Sequence, residues 1–341
     1  MVVENRRVSA ATDSYERATT AIIPVYNGAG FIANAVRSVL QQTAAVAAIL
    51  VVDDCSTDDT ARIVSEMAQK DQRLVLIQNA TNRGPAYSRN TALSFAKTPL
   101  AAFLDADDEW LPDHIAKAQA AFEKFPDATL VYSSNTDDAE VVAGAMKDAR
   151  IFHDPLTVLL DTNPITQSAT VVKTARIIAS GGYSDDARYA EDYDLWVRLA
   201  LDNCQFVEIP QMTIARTLHA DQISFRFAHK MFQSAWNTRR RAIEQRFGSV
   251  EQASAADIAS VVRAQARDVA AVLNTRRRDL VKLILDLTQW VPGTDELRTQ
   301  TERLIGWRWP IWRMAAMAYD GLPLPAKNWI RVRRNSVSDQ A

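Results

Sequence analysis

The chain predicts an α/β fold, a mostly parallel sheet flanked by helices, with a helical C-terminal region appended to it. Two observations carry that expectation. Apolar runs of strand length recur at Ala21–Tyr26, Ile49–Val52, Leu74–Ile77 and Leu100–Leu104, each bounded by polar or turn residues. Stretches of helical spacing separate them, and strand and helix in regular alternation imply right-handed crossovers and a sheet covered on both faces.

The elements follow in order. Ile32, Val36, Val39 and Leu40 mark a first helix, and Ile63, Val64 and Met67 a second. Ser56 or Thr57 is placed to cap the second, with Asp58 and Asp59 in its dipole-favoured first turn. A third helix follows Pro85, a residue tolerated in a first turn. After Asp113 the pattern is less regular until a helix-like segment over 192–201, with Leu195 and Leu199 on one stripe. From about Ala228 the pattern is wholly helical, broken by Gly248, Pro292-Gly293 and Pro310. Residues 1–19 read as a flexible tail, 20–226 as the α/β domain and 227–341 as the helical region.

Composition narrows the class. With 48% apolar and 23% charged residues and a net charge of −2 over 341 residues, the chain is ordinary for a globular protein and has no charge field suited to nucleic acid. Cys55 and Cys204 give neither zinc spacing nor a disulfide framework, which fits a reducing, cytoplasmic setting. The first twenty residues lack the apolar run of a secretory signal, and no stretch of eighteen apolar residues predicts a membrane span.

In sheets of this kind ligands bind outside the carboxyl ends of the strands. Three strand ends deliver polar groups there: Pro24-Val25-Tyr26-Asn27, Asp53-Asp54 and Asp105-Ala106-Asp107-Asp108. Taken alone, an Asp pair before a helix, as at Asp53-Asp54, is more often a cap than a ligand. Four acidic residues in a row, Glu109 included, repel one another without a cation, and hard cations such as Mg²⁺ or Mn²⁺ take carboxylate and phosphate oxygens.

Four segments in order resemble the motifs of family 2 glycosyltransferases of the GT-A fold. They are Ile22-Ile23-Pro24-Val25-Tyr26-Asn27, Val51-Val52-Asp53-Asp54-Cys55-Ser56-Thr57-Asp58, Asn82-Arg83-Gly84-Pro85-Ala86-Tyr87-Ser88-Arg89-Asn90, and Phe103-Leu104-Asp105-Ala106-Asp107-Asp108. The resemblance implies sugar transfer from a nucleoside-diphosphate sugar, a UDP-sugar by expectation, to a glycan or lipid-linked acceptor. Pro24, Tyr26, Asn27, Asp53 and Asp54 would then surround the base and ribose, with Tyr26 stacking and Asp54 accepting a base N–H. Asn82 and Gly84 would shape the loop nearby, and Arg89 would lie near the nucleotide. Asp105-x-Asp107 is similar to the family's DxD motif, with Ala106 between its carboxylates. Asp105 and Asp107 would engage ribose and metal, Asp107 chiefly the metal, with Asp108 an alternative ligand.

Glu191-Asp192-Tyr193-Asp194-Leu195-Trp196 resembles the family's ED-containing helix start, which implies Asp192 as the base that takes the acceptor's proton, with Glu191 its close competitor. A helix N-terminus stabilises a charged carboxylate, which would weaken either as a base. Trp196 lines the acceptor pocket or packs in the core. Arg216-Thr217-Leu218-His219 resembles the segment that closes over the diphosphate, with His219 a third metal ligand or phosphate donor and Arg216 a partner of the leaving group.

Five of the eight tryptophans fall at 290–341, and from 301 to 334 seven basic residues stand against two acidic ones. Trp with Arg suits either a membrane interface, at the inner face of the membrane, or a packed helical appendage. Other readings fit less well. Asn27-Gly28-Ala29-Gly30 lacks the dinucleotide G-x-G-x-x-G spacing, no Walker loop is present, and a nucleotidyltransferase would want a Gly- and Lys-rich loop near the N-terminus. A non-catalytic nucleotide- or glycan-binding relative shares the fold but needs no base.

Overall fold

The computed structural model describes residues 17–134, 148–217 and 227–248. The chain divides into two compact units, one of residues 1–156 with 163–219 and one of residues 157–162 with 220–341.

The first unit is built on an eight-stranded sheet. Strands β1 (Thr19–Val25), β2 (Ala48–Asp53), β3 (Leu74–Gln78) and β4 (Leu100–Phe103) pair in parallel in the order β3-β2-β1-β4. Every residue of β1 is buried, as expected of a parallel strand covered on both faces. The sheet continues through β8 (Thr170–Lys173), β6 (Ala128–Ser133), β9 (Gln205–Ile209) and β7 (Arg150–Phe152). In this second half β8 runs antiparallel to both neighbours and β6 pairs with β9 in parallel. The expectation of a mostly parallel α/β sheet holds.

Helices α1 (Ile32–Leu40), α2 (Thr60–Ala68) and α3 (Pro85–Phe95) connect the first four strands. Ile32, Ala35, Val36 and Val39 form the buried stripe of α1, and α2 offers Val64 with Ile63 and Met67 partly covered. The cap of α2 differs from expectation. The helix begins at Thr60, and Ser56 and Thr57 instead hydrogen-bond Asn27, while Asp58 Oδ1 accepts the N–H of Thr60 at 3.0 Å. A cross-loop partner has taken the hydroxyls that a cap would have used.

The irregular middle section folds into α4 (His114–Lys124), α5 (Pro155–Asp161), α6 (Thr174–Ala179) and strands β6 to β8. A two-stranded ribbon pairs β5 (Asp108–Trp110) with β10 (Ile214–Arg216), antiparallel, setting Asp108 opposite Arg216. Helix α7 (Glu191–Leu201) starts one residue before the 192–201 read from the sequence, with Leu195 and Leu199 buried as read. Trp196 is 0% exposed, which decides between its two readings in favour of the core. In the second unit, α8 (Ala228–Phe247) buries Trp236 and Ile243 and ends at Gly248, whose φ of 79° suits glycine. Among the described residues no helix is long and apolar enough to cross a membrane. The Trp- and Arg-rich segment at 290–341 lies outside the described residues.

His114 sits under the ribbon, 1% exposed, stacked 4.6 Å from Trp110, with Nδ1 2.6 Å from Thr213 Oγ1. Burial pushes its pKa down to about 3, a little against the pull of Asp113. The unfolded chain therefore binds a proton below about 6.5 that the folded chain refuses, so stability is full above that pH and falls as pH drops toward 3, by up to about 1.4 kcal/mol per unit. Denaturant unfolding of His114→Gln across this window is expected to show a flatter pH slope than the unsubstituted protein; an identical slope would refute the assignment.

Candidate functional site

The carboxyl ends of β2, β1 and β4 stand side by side, so the loops following them share one rim. Hydrogen bonds lace the first two loops together. Asn27, at φ 50°, accepts the Thr57 N–H on Oδ1 at 2.8 Å and donates its own N–H to Ser56 Oγ at 2.8 Å; Gly28 N–H donates to Thr60 Oγ1 at 2.9 Å. Pro24 is buried within β1, and just beyond it Tyr26 is 52% exposed, an aromatic face left uncovered at the rim.

Asp53 and Asp54 are both buried and both used. Asp53 accepts the Ser56 N–H at 3.1 Å and the Gln78 side chain at 3.3 Å. Asp54 accepts Asn79 Nδ2 at 2.7 Å, the Arg83 N–H at 3.0 Å and the Gly84 N–H at 2.6 Å. Its carboxylate thereby shapes the loop that carries the exposed Asn82 and leads into α3. Asn79 is a partner that sequence reading missed, since a single Asn after a strand carries no distinguishing signal.

Arg89 lies on α3, 5% exposed. Its Nη2 donates to Asp105 Oδ1 at 2.7 Å and its Nη1 to Glu191 Oε1 at 3.0 Å, with the Tyr183 ring 5.4 Å away. Burial opposes the charge, but Asp105 and then Glu191 overcome that opposition and raise the guanidinium's pKa. One side chain thus joins the loop after β4 to the first turn of α7.

The acidic loop is graded by depth. Asp105, Ala106 and Asp107 are half-buried, whereas Asp108 is 5% exposed and accepts the Ser168 hydroxyl at 2.6 Å. The same Ser168 Oγ accepts the Asp105 N–H at 3.1 Å, so one hydroxyl holds both ends of the loop. Burial, and then the charges of Asp105 and Asp107, push the Asp108 carboxyl up to about 6, with Arg216 opposing across the ribbon. Asp108 and Arg216 are far apart in sequence, and only strand pairing reveals them as neighbours. Ser168, Gln167 and Tyr183 belong to the irregular middle section and were not foreseen.

At the start of α7, Glu191 is 8% exposed and tied to Arg89, while Asp192 is partly exposed and accepts its neighbouring Tyr193 N–H at 2.7 Å. Burial raises the Asp192 pKa to about 6, the Glu191 charge adds to this, and Arg89 and the Tyr193 N–H oppose it. A helix N-terminus favours the charged form, but here burial and the like charge of Glu191 prevail.

Asp107 and the half-exposed Asp105 offer carboxylate oxygens suited to a hard cation, and their charges, which add to burial in raising Asp108, are of the kind a cation relieves. Among the described residues no group of three or more His, Cys, Asp or Glu is placed to hold a metal ion. His219 lies outside the described residues.

A match to the family described as Glycosyl transferase family 2 covers residues 20–166. The chain is 28% identical over 207 residues to a chondroitin synthase of Pasteurella multocida, an alignment covering 60% of this chain but only 21% of that relative's length. With the UDP-Glc:alpha-D-GlcNAc-diphosphoundecaprenol beta-1,3-glucosyltransferase WfgD of Escherichia coli it shares 30% identity over 184 residues, 53% of this chain and 69% of the relative. Among solved structures, S. aureus TarS 1-349 in complex with UDP-GlcNAc superposes with a TM-score of 0.61 at 18% identity, covering 82% of this chain and 83% of that one. A mannosyltransferase of Pyrobaculum calidifontis in complex with GDP-Man and Mn²⁺ superposes with a TM-score of 0.56 at 19% identity, covering 90% and 85%. These two likenesses are of fold.

The loop held by Asp54 depends on Gly84, whose φ of 91° and ψ of 170° fall where side chains are strained although no atom lies within 4 Å of an added Cβ. Gly84→Ala is expected to cost about 1–3 kcal/mol in denaturant unfolding through backbone strain alone, while Gly30→Ala, equally open but without a positive φ, stays within about 0.5 kcal/mol. Equal effects at the two positions would show that backbone strain is not the cause.

Proposed function

The chain belongs to the family 2 glycosyltransferases, and from that premise we propose that it moves a sugar, with inversion, from a nucleoside-diphosphate sugar to a glycan or lipid-linked acceptor. The UDP-sugars named for the E. coli relative and the TarS complex favour a uridine donor. The observation that carries the reading is Asp192: a partly exposed carboxylate at about pKa 6, next in sequence to the Glu191 that Arg89 ties to Asp105. A base is most effective when its pKa lies near the working pH, and this one is ionised at neutrality yet retains proton affinity.

The exposed Tyr26 stacks on the base, and Asp53 and Asp54 hold the loops around it, with Asp54 assigned to accept a base N–H. Asp105 and Ala106 face the ribose. Asp107, with Asp105, would hold Mg²⁺ or Mn²⁺ against the diphosphate, and the buried Asp108, closed off by Ser168, is the poorer ligand. Such a cation, of the kind bound in the Pyrobaculum mannosyltransferase complex, supplies charge neutralisation at the leaving diphosphate. His219 is assigned to the same cation or to a phosphate oxygen. Arg216, exposed at the end of β10 beside the acidic loop, adds positive charge toward the leaving group. Asp192 takes the acceptor hydroxyl's proton as that oxygen attacks the anomeric carbon opposite the nucleotide.

Residues 1–19, 20–226 and 227–341 are assigned to tail, catalytic domain and helical region, the last docking at the cytoplasmic membrane surface through its Trp and Arg residues. A non-catalytic binding relative would have no use for a raised carboxylate beside the donor loop.

Asp192→Asn is expected to lower kcat by about 10²- to 10⁴-fold while UDP affinity, measured by calorimetry, is retained. In the unsubstituted enzyme kcat/KM should rise with pH through about 6 and level off above it, because the base must be unprotonated. Retained activity in the variant would exclude Asp192 as base. Chelation should abolish release of nucleoside diphosphate from donor sugars and added Mn²⁺ or Mg²⁺ restore it; release unaffected by chelation would remove the metal from the reading.

A further inference from the structure

Arg89 was expected beside the nucleotide, but its guanidinium is enclosed and its two Nη atoms are committed to carboxylates from two different segments. Asp105 belongs to the loop after β4 and Glu191 to the first turn of α7, so the pair of bonds spans the donor and acceptor sides of the site. The next residue does the same by other means. Asn90 Nδ2 donates to the Tyr183 carbonyl at 2.8 Å, and Asn90 Oδ1 accepts the Tyr183 N–H at 2.9 Å. Gly182 permits this approach, for a Cβ there would stand 2.6 Å from Asn90 Oδ1. From the other side, Arg198 of α7 donates to the carbonyls of Ser180 and Gly182, both at 2.6 Å, while its Nε pairs with Asp194 at 2.8 Å. The segment 180–183 is therefore gripped by α3 and α7 together. Tyr183 itself packs edge-on to Phe103 of β4 and has its hydroxyl bonded by Gln167 at 2.9 Å.

We propose that Arg89 is a positioning residue, which with Asn90 fixes the Glu191-Asp192 turn at a set distance from Asp105, and that Glu191 is the anchor of this strut rather than a base. Two carboxylates from separate segments meet one planar cation, and the planar fork holds both directions at once in a way that a lysine ammonium does not. Displacing Asp192 by even an ångström from the attack line would cost rate without touching the nucleotide. The inference rests on the assignment of Asp192 as base, but its physical core, the coupling of Arg89 to Glu191, is measurable without that assignment.

Arg89→Lys and Glu191→Gln, singly and together, test it. Arg89→Lys should lower kcat by about 10- to 100-fold while the affinity for UDP with Mg²⁺ stays within about threefold. Glu191→Gln, which keeps an oxygen for Arg89 to bond, should lose far less rate than Asp192→Asn. In thermal unfolding the double variant should lose less than the sum of the single losses, as residues in contact do. UDP affinity falling in step with kcat/KM in Arg89→Lys would make Arg89 a nucleotide contact and overturn the proposal; so would a Glu191→Gln loss matching that of Asp192→Asn, or additive unfolding losses. Should Arg89→Lys fail to fold, Asn90→Ala replaces it, with the same expected loss of kcat at retained UDP affinity. If the unsubstituted protein transfers no sugar, the proposed function fails alone, and the unfolding cycle still decides the strut.

Discussion

A guanidinium shut away from water has to find its compensation within the protein, and at Arg89 that requirement organises the site. The side chain is 5% exposed, and burying a charge without partners is prohibitive, so two carboxylates must converge on it. Asp105 and Glu191 satisfy it from separate segments of the chain. Their convergence draws the loop after β4 toward the start of α7. Removing the guanidinium would leave the buried Glu191 carboxylate uncompensated, a loss of about 3–5 kcal/mol by general experience with such pairs.

Electrostatic crowding is the other side of this arrangement. Asp108 and Asp192 both have carboxyls raised to about 6, each chiefly by burial, yet their settings differ. Asp108 is closed by the Ser168 hydroxyl and pinned in a ribbon, whereas Asp192 remains partly open at a helix terminus. Similar proton affinity thus belongs to a closed loop in one place and to an accessible carboxylate in the other. Exposure, rather than pKa, separates the two.

Much of the donor side was legible because its chemistry is local. Strand ends deliver side chains at known positions, so the runs at β1, β2 and β4 by themselves place Tyr26, Asp54 and Asp105 on one rim. Even so, the hydroxyls of Ser56 and Thr57 read as helix caps and turned out to bind Asn27, a residue about thirty positions away. Competition between a local and a distant partner is settled by which loops lie side by side. The middle section was less legible for a related reason: β8 is four residues long and pairs antiparallel to strands distant in sequence, so neither its period nor its length distinguishes it.

What the sequence determined by itself was the class of fold, the family, and which residue types stand at the strand ends, since apolar periodicity and contiguous motifs are properties of neighbouring residues. The tertiary structure alone decided which of those side chains meet. It placed Trp196 in the core, enclosed Arg89 between Asp105 and Glu191, set Arg216 opposite Asp108 and raised the Asp192 carboxyl against the pull of its helix. Burial and charge coupling depend on distance in space, and no local pattern along the chain encodes that distance.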